Sequence, residues 1–484
     1  MLSKSTLRME GFYFMGKKIK FYADIMAFNS KVTGSRTLCS IRFPDGERVR
    51  FLVDCGMFHE KENERLNSKL EFNPESIDFA LITHSHVDHI GSLPLLVKRG
   101  YRGPIYASND VANFLMRPAL MDCQSVLADT ARIKSLPPVY SVKDVSNTMK
   151  QVRGIKMLEE WSPMDGIKVT FFQNAHVPGA VIILVRAFYR GYGSINLLFT
   201  GDYNNKNTFF KARKLPNRVT SLPITIIEEA TYGTTNSTEC EPVFEERLTN
   251  AIKQKKEVLL LAYSFGRTQE ILYKLKCMQL QGTLPDSVPI YLDGKLGMKY
   301  TRLYPMLDIS ERMKDFMPEN LHYVSRRERE NIISSKGPKI IVTSSGTGSY
   351  GPAQTYLPYF LAKKNAYVAF TGYTPSNTVG DKLKEMPYGS TIKVGGIVVK
   401  ICAKIEYFSE FSAHAKADVL LELLKQFQNI NMVLINHGEE DTKLAYAETV
   451  KEVVKPKMVG VLDRDYWFRV DQYGFVRNGS TKFI

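Results

Sequence analysis

Short apolar runs alternate with amphipathic stretches along most of the chain. The runs predict strands at residues 37–42, 49–53, 79–83, 168–172, 181–185, 195–200, 224–227, 258–262, 339–343, 368–370 and 432–435. Helices are predicted at 268–278 and 416–427. In the second, Val419, Leu420, Leu423, Leu424 and Phe427 recur at helical spacing. Strands interleaved with helices indicate an α/β fold. No internal repeat or low-complexity segment interrupts the pattern. Turn-rich stretches at 232–238 and 372–381 mark boundaries. They divide the chain into segments 1–236, 237–380 and 381–484, the middle one a small α/β unit of its own.

At 484 residues the chain is long enough for two or three domains of ~100–200 residues each. Hydrophobic residues make up 44% and charged residues 24%, enough apolar material for a sizeable core. The 25 Tyr and 27 Phe exclude a chain that is disordered throughout. No apolar run reaches the ~18–20 residues of a membrane span, and the N-terminus lacks a signal-peptide pattern. A cytoplasmic protein without a membrane partner is expected. The six cysteines form no C-x-x-C pair and read as reduced thiols. The net charge of +15, from 65 Lys and Arg against 50 Asp and Glu, favours a polyanionic partner.

Candidate chemistry lies in the histidines. There are eight, and His84, His86 and His89 fall together in H-S-H-V-D-H with Asp88. A predicted strand runs straight into this cluster. Imidazole and carboxylate just past a strand end suit Zn²⁺, and also Mn²⁺ or Fe²⁺. Four donors are too many for one metal with an open position, so two metals are the economical reading. Asp54, His176, Asp202 and His437 each follow a short apolar run as well. Ligands in sheet proteins gather at the carboxyl ends of strands. His59 and His322 have no such context.

The H-S-H-V-D-H run, with Asp54 before it and His176 and Asp202 after it, resembles the H-x-H-x-D-H pattern of the metallo-β-lactamase superfamily. The likeness narrows further. Residues 227–233, with Glu229 at the acidic position, resemble motif A of the β-CASP nucleases. Phe411-Ser412-Ala413-His414 resembles motif B, and Asn436-His437-Gly438-Glu439 motif C. The F-S-A-H form is similar to the cleavage and polyadenylation specificity factor nucleases and their compact bacterial relatives. One stretch departs: Ser344-Ser345-Gly346-Thr347 stands where relatives tend to have Ser-Gly-Met.

This resemblance implies a metallo-β-lactamase αββα sandwich with an inserted β-CASP α/β cap. It implies two divalent metals, Zn²⁺ first and Mn²⁺ as the alternative. His84, His86 and His176 would bind one, and Asp88, His89 and His437 the other. Asp202 would bridge them. Asp54 would accept a hydrogen bond from a ligand histidine and fix its orientation. The expected activity is hydrolysis of single-stranded RNA by hydroxide activated between the metals. Cleavage would be endonucleolytic, with 5′→3′ exonuclease action the other mode found in relatives. His414 would serve the leaving oxygen, with Glu229 orienting it. Arg267, Ser345, Gly346 and Ser412 would contact the substrate. A homodimer or an RNA-processing complex is compatible with the family. Two other readings remain: a DNA nuclease of the same fold, against which His437 at motif C argues, and a non-catalytic scaffold, against which the filled ligand positions argue.

Overall fold

A computed structural model describes residues 20–29, 31–237, 243–375, 377–411, 413–464 and 466–480. They group into two compact units. The first comprises the chain up to Asn207, Lys211–Ser237 and the part from His414 onward; the second comprises Thr208–Phe210 and the part ending at Ala413.

Among the described residues, the first unit holds two facing sheets. The eight-stranded sheet runs in the order Gly474–Ser480, Tyr466–Asp471, Tyr22–Ala27, Thr37–Arg42, Arg48–Val53, Phe79–Leu81, Ile105–Ser108, Val152–Ile155. The seven-stranded sheet runs Val459–Val461, Ile430–Asn436, Ile224–Glu229, Gly193–Phe199, Val181–Tyr189, Ile167–Gln173, Glu160–Met164. Alternate residues of each strand face inward. Ile25, Phe51, Phe79 and Leu81 of one sheet therefore meet Phe171, Ile183, Leu197 and Phe199 of the other in one buried cluster. Fully burying side chains of this kind stabilises by roughly 1.5–3 kcal/mol each. The opposite face of the second sheet, with Ile182, Leu198, Ile226 and Val433, is covered by helices Ala417–Leu424 and Glu440–Val453 through Leu420, Leu424, Tyr446 and Val450. Early and late chain meet in the first sheet, where Ala23 pairs with Val470 and Arg469 grips Asp24 at 2.7 and 2.8 Å.

The second unit is built on a six-stranded parallel sheet in the order Leu321–Tyr323, Ile290–Asp293, Lys339–Thr343, Glu257–Leu261, Ala366–Phe370, Lys404–Tyr407. Its central strands are buried on both faces, which explains their continuous apolar runs. Lys404–Tyr407 pairs with Ala366–Phe370. Residues 381–413 thus lie in this unit, although the sequence pattern breaks at 372–381.

The strand core at 195–200 appears as Gly193–Phe199 and that at 432–435 as Ile430–Asn436. Helix 268–278 appears as Arg267–Leu280, and 416–427 as the shorter Ala417–Leu424. Cys39, Cys55 and Cys123 are buried free thiols, and Cys277 and Cys402 are half-buried and free. Cys240 lies outside the described residues. Among the described residues no helix is long and apolar enough to cross a membrane.

Candidate metal centre

Strand direction brings the polar residues together. Gly193–Phe199, Ile224–Glu229 and Ile430–Asn436 are parallel neighbours, so Asp202, Glu229 and His437 emerge at one end of their sheet. Arg48–Val53 and Phe79–Leu81 are likewise parallel, so Asp54 and His84 leave the other sheet side by side. His86 then caps the short helix Val87–Ile90, whose single turn carries Asp88 and His89. Asp54 and His437 both have positive φ, 59° and 47°. Asp and His tolerate that region better than β-branched residues do.

Asp54 is fully engaged. Its carboxylate accepts Thr83 N at 2.8 Å, Thr83 Oγ1 at 2.7 Å and His89 Nδ1 at 2.7 Å. That last bond leaves His89 Nε2 facing Asp202 Oδ1 at 3.2 Å. His84 Nε2 and His176 Nε2 approach His86 Nδ1 at 3.0 and 3.1 Å, and each lies 3.6 Å from Asp202 Oδ2. His437 Nδ1 lies 3.4 Å from Asp202 Oδ1, and its Nε2 is 3.9 Å from Asp88 Oδ2. Asp202 therefore presents one oxygen to His84 and His176 and the other to His89 and His437.

Three groupings have donor atoms within 4.8 Å of one another: His84, His86, His176 and Asp202; Asp88, His89, Asp202 and His437; and Asp202, Glu229, His414 and His437. His414 donates from Nδ1 to Glu229 Oε2 at 2.8 Å. Glu229 Oε1 in turn accepts Tyr203 N. His414 Nε2 lies 3.8 Å from Asp202 Oδ2.

Burial pushes His84 well below the usual imidazole range and His86 down to about 4, so both are neutral donors near pH 7. Burial acts the same way on His89, but Asp202, Asp54 and Asp88 outweigh it and raise that ring well above the usual imidazole range. For His414, burial is reversed by Glu229 and Asp202, which raise it to about 9. Burial would raise Asp88 and Asp202; neighbouring imidazoles, His89 for the first and His437 for the second, hold both below the carboxylate range.

The residues fit a divalent metal. His89 Nε2, Asp202 Oδ1 and His437 Nε2 are buried with no hydrogen-bond partner. Such atoms are costly to leave unsatisfied unless something binds them. Imidazole nitrogens and carboxylate oxygens are the donors Zn²⁺ takes.

Three profiles match the chain: Metallo-beta-lactamase superfamily at residues 41–155, Beta-Casp domain at 268–383, and Zn-dependent metallo-hydrolase RNA specificity domain at 398–458. Ribonuclease TTHA0252 of Thermus thermophilus is 30% identical over 430 residues, which cover 86% of this chain and 92% of that relative. The chain belongs to the β-CASP family of the metallo-β-lactamase superfamily. Transcription termination factor FttA of Methanosarcina mazei is a 28% identical relative over 84% of this chain, which spans 66% of that longer protein. Cleavage and polyadenylation specificity factor subunit 3-II of Arabidopsis thaliana is 26% identical over 85% of this chain and 67% of its own length.

In this β-CASP protein the residues expected at the metals, together with Asp54, Glu229 and His414, all lie in the first unit. Arg267, Ser345 and Gly346 lie in the second. Arg267 is buried, bonded to Glu270 at 2.6 Å, with its guanidinium over the Phe411 ring. Ser345 Oγ meets Thr347 Oγ1 at 3.1 Å, and Gly346 lies against Tyr263. Ser412 lies outside the described residues. His59 and His322 are exposed.

Sequence reasoning missed Asn174. Its Oδ1 accepts His176 N at 2.8 Å, and its Nδ2 donates to Asp202 O at 2.6 Å and Thr200 O at 3.1 Å. One buried amide thus ties the loops of His176 and Asp202 together. Its position two residues before His176 was the available signal. Thr231, whose Oγ1 lies 3.2 Å from His437 Nδ1, carried none.

Proposed function

We propose that this protein is a metal-dependent ribonuclease that hydrolyses phosphodiester bonds of single-stranded RNA. The arrangement that carries this reading is the carboxylate of Asp202, flanked on each oxygen by a histidine group and approached by the His414–Glu229 pair. The relatives named as ribonucleases support it, as does the charge of +15.

Two divalent ions, Zn²⁺ or Mn²⁺, would be held by His84, His86 and His176 and by Asp88, His89 and His437, with Asp202 shared. Such a pair lowers the pKa of water and offsets phosphate charge. The chain's own residues do the rest. Asp54 accepts the hydrogen bond of His89 Nδ1 and so turns Nε2 toward the site. Neutral His84 and His86 present lone pairs without first losing a proton. Protonated His414 supplies a proton from Nε2 to the departing oxygen, and Glu229 fixes that ring through Nδ1. Asn174 keeps the loops of His176 and Asp202 in register.

The test is digestion of a 5′-labelled single-stranded RNA, beside a DNA of the same sequence, with Zn²⁺ or Mn²⁺ present. The wild type is compared with an Asp88→Ala/His89→Ala double variant. Internal RNA fragments from the wild type only are expected of an endonuclease. Immediate labelled mononucleotide assigns 5′→3′ exonuclease action instead. A wild type that binds metal and leaves RNA intact, or that cuts DNA alone, overturns the proposal.

A further inference from the structure

In the second unit's sheet, strand Glu257–Leu261 lies between Lys339–Thr343 and Ala366–Phe370. From Glu257–Leu261 the chain passes through helix Arg267–Leu280 to Ile290–Asp293, on the Lys339–Thr343 side. From Ala366–Phe370 it goes on to Lys404–Tyr407, on the opposite side. Adjacent parallel strands whose connections diverge open a crevice at their carboxyl ends, where ligands bind in such sheets.

Tyr263 stands at that point, two residues past Leu261. The residue is held at its backbone and at its hydroxyl. The backbone carbonyl accepts Thr268 N at 3.0 Å and Thr268 Oγ1 at 2.7 Å. The hydroxyl donates to Tyr373 O at 2.7 Å, on the loop after the neighbouring strand. Gly346 and Gly372, from the loops on either side, border one edge of the ring; a Cβ on either would sit 3.0 Å from a ring carbon. The two glycines make room for the ring in its held position, yet Tyr263 remains 38% exposed. Tyr373 and Tyr350, on the same two flanking loops, are 55% and 69% exposed.

We propose that Tyr263 is a stacking platform for a nucleobase of single-stranded RNA, at the carboxyl end of the second unit's sheet. This rests on the ribonuclease reading above. A held aromatic ring loses little freedom on binding, and every base offers a flat face to it, so recognition is tolerant of sequence.

The test uses the full chain in the Asp88→Ala/His89→Ala background, so that the strand is not consumed. Affinity is measured for a fluorescein-labelled single-stranded RNA and for an abasic ribose-phosphate strand of equal length. Tyr263→Ala should weaken the base-bearing strand about tenfold and the abasic strand less than about twofold. Tyr263→Trp should keep the affinity. The chain's own Trp161 and Trp467 both lie in the first unit, so the emission added by that variant can be isolated by difference, and the base-bearing strand alone should quench it. Equal weakening of both strands by Tyr263→Ala overturns the proposal, as does unchanged affinity with no quenching. Wild type that cleaves RNA while Tyr263→Ala matches its affinity for the base-bearing strand overturns stacking alone. Wild type that neither binds nor cleaves RNA overturns the ribonuclease reading and the platform with it.

Discussion

Under the proposed function, His414 is the residue whose environment bears most directly on turnover. Glu229 and Asp202 raise it to about 9, so the imidazolium persists through neutral pH and is lost as pH rises through that value. His414→Ala should lower turnover by about 10²–10⁴ while metal content, read by elemental analysis, stays at the wild-type level. Glu229→Gln removes a charge that favours the imidazolium. The alkaline limb of the pH–rate profile should then move to lower pH. Glu228, next in chain to Glu229, behaves oppositely to a paired acid. It is fully buried, with one oxygen accepting Tyr446 Oη at 3.1 Å and the other unpartnered. Burial raises its carboxyl well above the usual range. The folded state then holds a proton that the unfolded state releases above about pH 4.3. Stability from this group is present below that pH and falls as pH rises above it. Glu228→Gln keeps the shape without the charge. It should raise the melting temperature at pH 8 and leave it nearly unchanged at pH 4.

At the scale of elements, the segment after Arg48–Val53 is laced to the helix Val87–Ile90. Cys55 N bonds His89 O at 2.7 Å, Met57 N bonds Val87 O at 3.1 Å, and Ser35 N bonds Asp88 O at 2.8 Å. Buried Arg36 closes the arrangement through Gly56 O at 3.0 Å and Ser92 Oγ at 2.9 Å. Gly56 is required here because a Cβ would overlap the Asp88 carbonyl. Gly56→Ala should push the helix outward, moving Asp88 and His89 together. A loss of about 3 kcal/mol or more and reduced metal content are expected, measured by denaturant unfolding and elemental analysis. An unchanged metal content would show that the helix does not depend on this contact.

For the whole molecule, the +15 charge predicts RNA affinity that falls steeply with salt. Each phosphate contacted on a single strand adds about 0.7 to the slope of log affinity against log salt. A slope near zero would mean that the charge plays no part in binding. Metal should also couple to stability. An ion held by the folded state alone adds ~2.7 kcal/mol at a hundred times its Kd. A chelator should therefore lower the melting temperature, and added Zn²⁺ should restore it.

Much of this protein can be read along the chain, because apolar periodicity is a local property. The strands, the helix Arg267–Leu280 and the His84–His89 run are all contiguous. Asp54, His176, Asp202 and His437 were visible as polar residues following apolar runs. The strand Tyr22–Ala27 and its partner Tyr466–Asp471 were not, since each is shaped by the other across the chain. Nor was the place of 381–413, which depends on Lys404–Tyr407 joining a sheet edge. The sequence alone determined which donors are present and which strands deliver them. Only the tertiary structure decided how Asp202 divides its two oxygens, that Asn174 latches two loops, and that two glycines frame Tyr263. Those outcomes follow from which strands lie side by side and in which direction, and that is set by packing between residues far apart in the chain.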